Sequence, residues 1–78
     1  MHTYRITYTR PSDDREIITH RKAEMAYGAI EKLCDQYGWR FDLNMYDADT
    51  RGEEWAQGLI DPEGGLNFRR YVIAEMEE

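Results

Sequence analysis

The residues best suited to hold a metal ion are Asp47, Asp49 and Gly52, whose spacing matches the beginning of a calcium-binding EF-hand loop. Such a loop also needs an oxygen ligand at its fifth position and a bidentate glutamate at its twelfth. Here those positions are Arg51 and Gly58. Because a guanidinium would face the cation, we interpret the segment as a hairpin turn and expect no metal site and no cofactor.

Side chains suited to catalysis are also few. Cys34 falls on the apolar stripe of a predicted helix, which favours a buried and inert thiol. The acid pairs Asp47 with Asp49 and Glu53 with Glu54 lie on or beside a turn, where no apolar pocket is implied. We therefore expect that the protein is not an enzyme, and we assign no catalytic residue.

Alternating apolar residues predict the strands that position these side chains. Residues 2–10 are expected to form a strand, and residues 16–19 a second one that pairs with it as a hairpin. A third strand covers residues 39–46, a fourth residues 53–60 and a fifth residues 66–74. The side chains expected to face the core are Tyr4, Ile6 and Tyr8 of the first strand, Trp39, Phe41, Leu43 and Met45 of the third, and Trp55 and Leu59 of the fourth. Tyr46 is expected to face outward.

Between the second and third strands, the apolar period changes to three and four residues, which predicts a helix from Lys22 to Tyr37. Thr19 or His20 would cap its start, and Gly38 would end it. The order strand, strand, helix, strand, strand, strand indicates an α+β fold. We expect one domain, residues 1–78, with the helix packed on one face of an antiparallel sheet of about five strands.

The charge of the chain is concentrated in one segment. Residues 35–63 hold eight acids and two bases, a difference that equals the net charge of −6 of all 78 residues. A field of one sign attracts basic partners and repels nucleic acid. With one cysteine and no long apolar run, we expect a cytoplasmic protein that does not bind membranes.

The acidic segment supplies the candidate binding residues. Five acids belong to one predicted hairpin and two to the following turn, and carboxylates on a rigid frame can occupy a basic surface that normally holds phosphates. These residues are Asp42, Asp47, Asp49, Glu53 and Glu54 in the hairpin, and Asp61 and Glu63 in the turn. They predict a partner that is a basic, nucleic-acid-handling protein, bound by a monomer of this chain. A surface that serves only solubility is the simpler alternative.

Direct nucleic-acid binding is the other alternative. Outward aromatic side chains can stack bases, and the arginines near the two ends of the chain, such as Arg5, Arg69 and Arg70, could contact phosphates. The first 22 residues carry five bases and three acids, which is a weak basic patch. The acidic hairpin would oppose such binding, so we do not expect a direct nucleic-acid contact.

The helix KAEMAYGAIEKLCDQYG followed by the acidic hairpin FDLNMYDADTRGEEWAQGLIDPEGG resembles the small anti-CRISPR proteins that phages encode, in particular those acting on type I-C effector complexes. The resemblance is one of size, charge and layout over the whole chain. It implies stoichiometric binding to the basic DNA-contacting surface of a Cascade complex in the host cytoplasm. DNA mimicry of this kind would block target binding without a cofactor.

Overall fold

In a computed structural model, which describes residues 1–77, the chain forms one antiparallel sheet and one helix. In chain order the elements are β1 (His2–Thr9), β2 (Glu16–Ala23), α1 (Ala26–Tyr37), β3 (Arg40–Tyr46), β4 (Trp55–Asp61) and β5 (Arg70–Met76). The sheet has the order β2-β1-β5-β4-β3, so β2 and β3 are its edges. The predicted α+β class and element order are therefore confirmed.

The core lies between α1 and one face of the sheet. Alternation along β1 turns Tyr4, Ile6 and Tyr8 toward the helix, as predicted, and all three are buried. The buried stripe of α1 includes Leu33 and Cys34. We call the opposite side of the sheet the uncovered face, because no second helix occurs in residues 1–77 to pack on it.

The predicted start of the helix is wrong. Strand β2 continues through Lys22 to Ala23, which pairs with His2 at the far end of β1. The helix begins only at Ala26, after an extended Met25, so neither Thr19 nor His20 caps it. Hairpin pairing along the whole of β1 outweighs the helical preference of a few residues. The predicted end is confirmed, because Gly38 adopts the left-handed conformation with φ 71°.

A β-bulge in β3 reverses two predicted orientations. Leu43 pairs with Gly58, but Met45 pairs with Gln57, so Asn44 is an extra residue in β3. After the bulge, Met45 points to the uncovered face and is 53% exposed, instead of lying in the core. Tyr46 lies on the helix side of the sheet instead of facing outward. Before the bulge, Trp39, Phe41 and Leu43 pack against the core as expected.

The predicted inward face of β4 is also wrong. Ala56, Gly58 and Ile60 are buried beneath the helix, and Trp55 and Leu59 are only half-buried because they lie on the uncovered face. A Cβ at Gly58 would lie 2.4 Å from the carbonyl oxygen of Asp42, so the bulged edge strand leaves no room there for a side chain. The close approach of β3 therefore accounts for Gly58.

The structure contains no helix in residues 1–77 that is long and apolar enough to cross a membrane. The longest helical segment there is α1, with 12 residues, and a spanning helix needs about 20.

Candidate functional site

The hairpin loop that joins β3 to β4 carries the most concentrated charge in the described chain. We call residues 47–54 the acidic loop; it contains Asp47, Asp49, Glu53 and Glu54, with Arg51 as its base. Asp49, Glu53 and Glu54 are exposed, and Asp47 is half-buried. The structure therefore brings together four of the seven predicted binding residues.

Local hydrogen bonds give the acidic loop a defined shape. The backbone N–H of Gly52 donates to the carbonyl of Asp47 at 2.8 Å, and the N–H of Asp49 donates to the carboxylate of Asp47 at 2.9 Å. The N–H of Glu54 donates to the hydroxyl of Thr50 at 3.1 Å. The Asp47 carboxylate thus forms an Asx-type turn. This side chain therefore stabilises the shape of the loop and also contributes to its negative charge.

Contacts with three other elements hold the acidic loop in place. The N–H of Ala26, the first residue of α1, donates to the carbonyl of Gly52 at 3.0 Å. The hydroxyl of Tyr4, from β1, donates to the carbonyl of Glu53 at 2.5 Å. The N–H of Met76, at the end of β5, donates to the carbonyl of Glu54 at 2.7 Å. A loop ordered in this way loses little conformational entropy on binding.

The carboxylates of the acidic loop are close enough to influence one another. The pKa of Glu54 is raised, first by a hydrogen bond with Asp47, then by burial and by the charges of Asp47, Glu53 and Asp49. His2 lies 3.4 Å from a carboxylate oxygen of Glu53. The loop is therefore a dense patch of negative potential to which a cationic surface would be attracted.

A groove lies beside the acidic loop on the helix side of the sheet. Its volume is about 510 Å³, and the residues lining it are Tyr27, Leu43, Tyr46, Ala48, Arg51 and Gly52. Tyr27 is 43% exposed and Tyr46 is 59% exposed. Sequence reasoning missed this groove, because it depends on the bulge that turns Tyr46 and on the position of the helix start. The only signal in the sequence was Tyr27, which lies off the apolar stripe of the helix.

Three predicted binding residues lie away from the acidic loop. Asp42 is exposed on the uncovered face, paired in register with Leu59. Asp61 and Glu63 lie at the other end of β4, about 20 Å from its start at about 3.3 Å per residue. Glu63 is exposed, and its carboxylate lies 3.4 Å from the guanidinium of Arg70.

Asp61 has a structural role, and we remove it from the set of contact residues. Its side chain is 1% exposed. Its carboxylate accepts hydrogen bonds from the N–H groups of Gly64 at 3.2 Å and Leu66 at 2.8 Å, which shapes the turn before β5. This turn occupies the beginning of the segment predicted as the fifth strand, so β5 starts at Arg70 instead of at Leu66.

Several arginines that could contact phosphates are engaged within the protein. The guanidinium of Arg70 is 9% exposed and lies 3.0 Å from Asp14. Arg5 lies 3.3 Å from Glu75 on the uncovered face. Arg10 lies 2.6 Å from Asp13, and this contact raises the pKa of Arg10 and lowers that of Asp13. A basic groove along the predicted arginine strands does not form from these residues.

Cys34 and the acidic side chains were the candidate nucleophile and the candidate metal ligands. Cys34 is fully buried, as predicted, and burial followed by the charge of Asp35 raises the pKa of its thiol to about 12. Within residues 1–77, no group of three or more His, Cys, Asp or Glu side chains is placed to hold a metal ion.

Comparison of the chain with protein-family models, with curated proteins and with solved structures finds no match in any of the three. The acidic loop and the groove beside it are therefore the features from which a function can be inferred.

Proposed function

We propose that the chain is a protein-binding inhibitor that places its acidic loop on the basic surface of a nucleic-acid-handling protein. The observation that supports this most directly is the fixed array of Asp47, Asp49, Glu53 and Glu54, anchored through its backbone to β1, β5 and α1. A preorganised acidic surface gains affinity because it need not be ordered on binding, and its field accelerates encounter with a cationic partner.

The groove beside the acidic loop would supply the apolar part of the contact. Tyrosine and arginine are the residue types most often found at energetic hot spots, and here Tyr27, Tyr46 and Arg51 line one cavity. Its volume of about 510 Å³ is large enough for one or two partner side chains. In this arrangement, the carboxylates give orientation and association rate, and the tyrosines give residence time.

Two observations favour this proposal over direct binding of DNA or RNA. The groove that Tyr27 and Tyr46 line is bordered by the acidic loop, whose four acids outnumber its one base, Arg51, and would repel phosphates. The arginines near the chain ends, Arg5 and Arg70, already have acidic partners. A gel shift with the purified protein should therefore show no retarded DNA or RNA.

The resemblance to small anti-CRISPR proteins names the first partner to test, a type I-C Cascade complex. Incubating the complex with this protein before adding target DNA should prevent DNA capture, and the block should weaken as salt screens the contact. A ternary complex in which the DNA stays fully bound contradicts inhibition by DNA mimicry.

Charge reversal tests the acidic loop directly. Asp49→Lys with Glu54→Lys should slow association with the partner by about tenfold or more, because both side chains are exposed and belong to the charged patch. The matched control is Glu31→Lys with Asp35→Lys on the exposed side of α1, which changes the net charge equally. Equal effects of the two pairs would show that only total charge matters, and the loop would lose its special role.

Truncation tests the groove. Tyr46→Ala should speed dissociation of the complex and weaken affinity by at least about 30-fold, the loss expected for a hot-spot residue worth about 2 kcal/mol. Tyr37→Ala is the control, because Tyr37 is similarly exposed, at 50%, but does not line the groove. If Tyr46→Ala bound the partner with unchanged affinity, the groove would not be part of the interface.

A further inference from the structure

The uncovered face of the sheet presents a row of side chains that runs across all five strands and is apolar on three of them, β2, β5 and β3; we call it the apolar row. One side chain from each strand contributes, and neighbouring members are paired in the strand registers. In order from edge to edge the row is Ile18, Thr7, Ile73, Gln57 and Met45. Ile18 is 56% exposed and Met45 is 53% exposed, so the two edges of the row are open to contact.

More apolar side chains flank the row on both sides. Trp55 and Leu59 lie two residues before and after Gln57 on β4, and Tyr71 lies next to Leu59 on β5. All three are half-buried in the isolated chain. Leu59, Tyr71 and Ile73 adjoin one another in the strand registers, whereas Thr7 and Gln57 separate Ile73 from Ile18 and Met45. Exposed apolar patches on small domains mark contact surfaces.

We infer that the uncovered face is a docking surface for a second copy of this chain. The first argument is charge. On this face the exposed charged side chains of the strands are three bases, Arg5, Lys22 and Arg40, and three acids, Glu16, Asp42 and Glu75. Two copies that each carry a net charge of −6 repel each other least where the surface is locally neutral.

The second argument is symmetry. A two-fold axis along the row places Ile18, Ile73 and Met45 each against the same residue of the other copy, which is what a self-complementary interface requires. The same axis exchanges the residues on the two sides of the row. Trp55 then meets Leu59, so apolar side chains face each other.

The edge strand β2 obeys the same symmetry. Glu16 and His20 lie two residues on either side of Ile18, and both are exposed on the uncovered face. The two-fold axis brings Glu16 of one copy to His20 of the other. The axis therefore sets no two like charges against each other at these positions.

The third argument is area. Five strands about 4.8 Å apart and about seven residues long give a flat face of about 550 Å². Specific interfaces begin at about 600 Å² of accessible surface per partner. Because the whole face falls just short of that area, it suits only a small, weak symmetric dimer in which two sheets pack about 10 Å apart. The sequence predicts a monomer, and it does not show that Met45, Trp55 and Leu59 lie on this face.

Sedimentation measurements over about 1 µM to about 1 mM test the dimer, since small interfaces dissociate in this range. The wild-type protein should shift from the mass of one chain to that of two. Ile18→Asp with Met45→Asp should remain monomeric throughout, because each copy would bring charges to the apolar row. Leu66→Asp is the control, since Leu66 is 71% exposed in a turn and outside the row.

Two further results complete the test. The melting temperature should rise with concentration for the wild type and for Leu66→Asp, but not for the double variant, because only dimers gain stability by mass action. The variant with Asp49→Lys and Glu54→Lys should still form dimers. The test of the dimer is therefore independent of the test of the proposed function. A wild type that stays monomeric at about 1 mM, or a double variant that still dimerises, would overturn the inference.

Discussion

Tyr4→Phe removes the hydroxyl that joins the core to the acidic loop. Tyr4 is fully buried, and its hydroxyl donates to the Glu53 carbonyl at 2.5 Å. The pKa of Tyr4 is raised, mainly by burial and then by the charges of Glu53 and Glu24. The ring can stay in place in the variant, so the change removes only the hydroxyl, which also lies 3.4 Å from the carbonyl oxygen of Glu24. The Glu53 carbonyl, the nearer of the two acceptors, loses this donor.

We expect Tyr4→Phe to lower the free energy of unfolding by about 1 to 2 kcal/mol, the cost of a lost hydrogen bond with a partly buried acceptor. In a domain of this size, each kcal/mol lowers the melting temperature by about 4 to 8 °C. Urea denaturation gives the free energy, and amide exchange should show faster opening of the acidic loop than of β1.

Tyr71→Phe is the matched control for this substitution. The Tyr71 hydroxyl also donates a hydrogen bond, in this case to the carboxylate of Glu16, but this bond is exposed. Its loss should change the free energy of unfolding by less than about 0.5 kcal/mol. If Tyr4→Phe were as stable as Tyr71→Phe, with unchanged exchange in the acidic loop, the hydroxyl would not be what holds the loop.

Three other changes address the acidic loop, the turn and the thiol. Asp47→Asn should lower the pKa of Glu54, measured by NMR titration, because Asp47 is the first cause of its elevation; an unchanged value would contradict contact between the two carboxyls. A carboxyl with a raised pKa binds its proton more readily in the folded state, so its stabilising effect is present at low pH and is lost as the pH rises through that pKa. Asp61→Ala should cost about 1 to 3 kcal/mol in urea denaturation, since two backbone donors lose their acceptor; a neutral effect would argue against the turn geometry. Cys34 should react with a thiol reagent near pH 8 only after denaturant is added, because its pKa is raised to about 12; rapid labelling of the folded protein would show that the thiol is accessible.

The fold was predictable where a pattern was long and local. Eight alternating residues defined β1, and the apolar stripe with Gly38 defined the end of α1. The start of α1 was not predictable, because Lys22 and Ala23 are compatible with a helix or a strand. Only their pairing with β1 determines that they extend β2. The face of β4 was mispredicted because large apolar side chains are usually the buried ones, whereas the close approach of β3 requires a glycine at position 58 on the buried face.

The part of the candidate site that could be predicted is its charge density, because neighbouring charges along the sequence stay close together in the fold. Four acids within the eight residues from 47 to 54 remain together wherever the loop is placed. Position along a strand and burial are tertiary properties, so the sequence did not separate the distant Asp42 and Glu63 from the loop. It also did not show that the carboxylate of Asp61 would accept hydrogen bonds from the backbone of the turn.

The bulge at Asn44 connects the two surfaces proposed for this protein. Without the extra residue, continued alternation would place Met45 toward the helix and Tyr46 on the uncovered face. With it, Tyr46 reaches the groove beside the acidic loop, and Met45 completes the apolar row on the opposite side. One inserted residue in an edge strand thus supplies an aromatic side chain to one contact surface and an apolar side chain to the other. Because Gly58 allows the backbone of β3 to approach so closely, the two surfaces depend on the same local geometry.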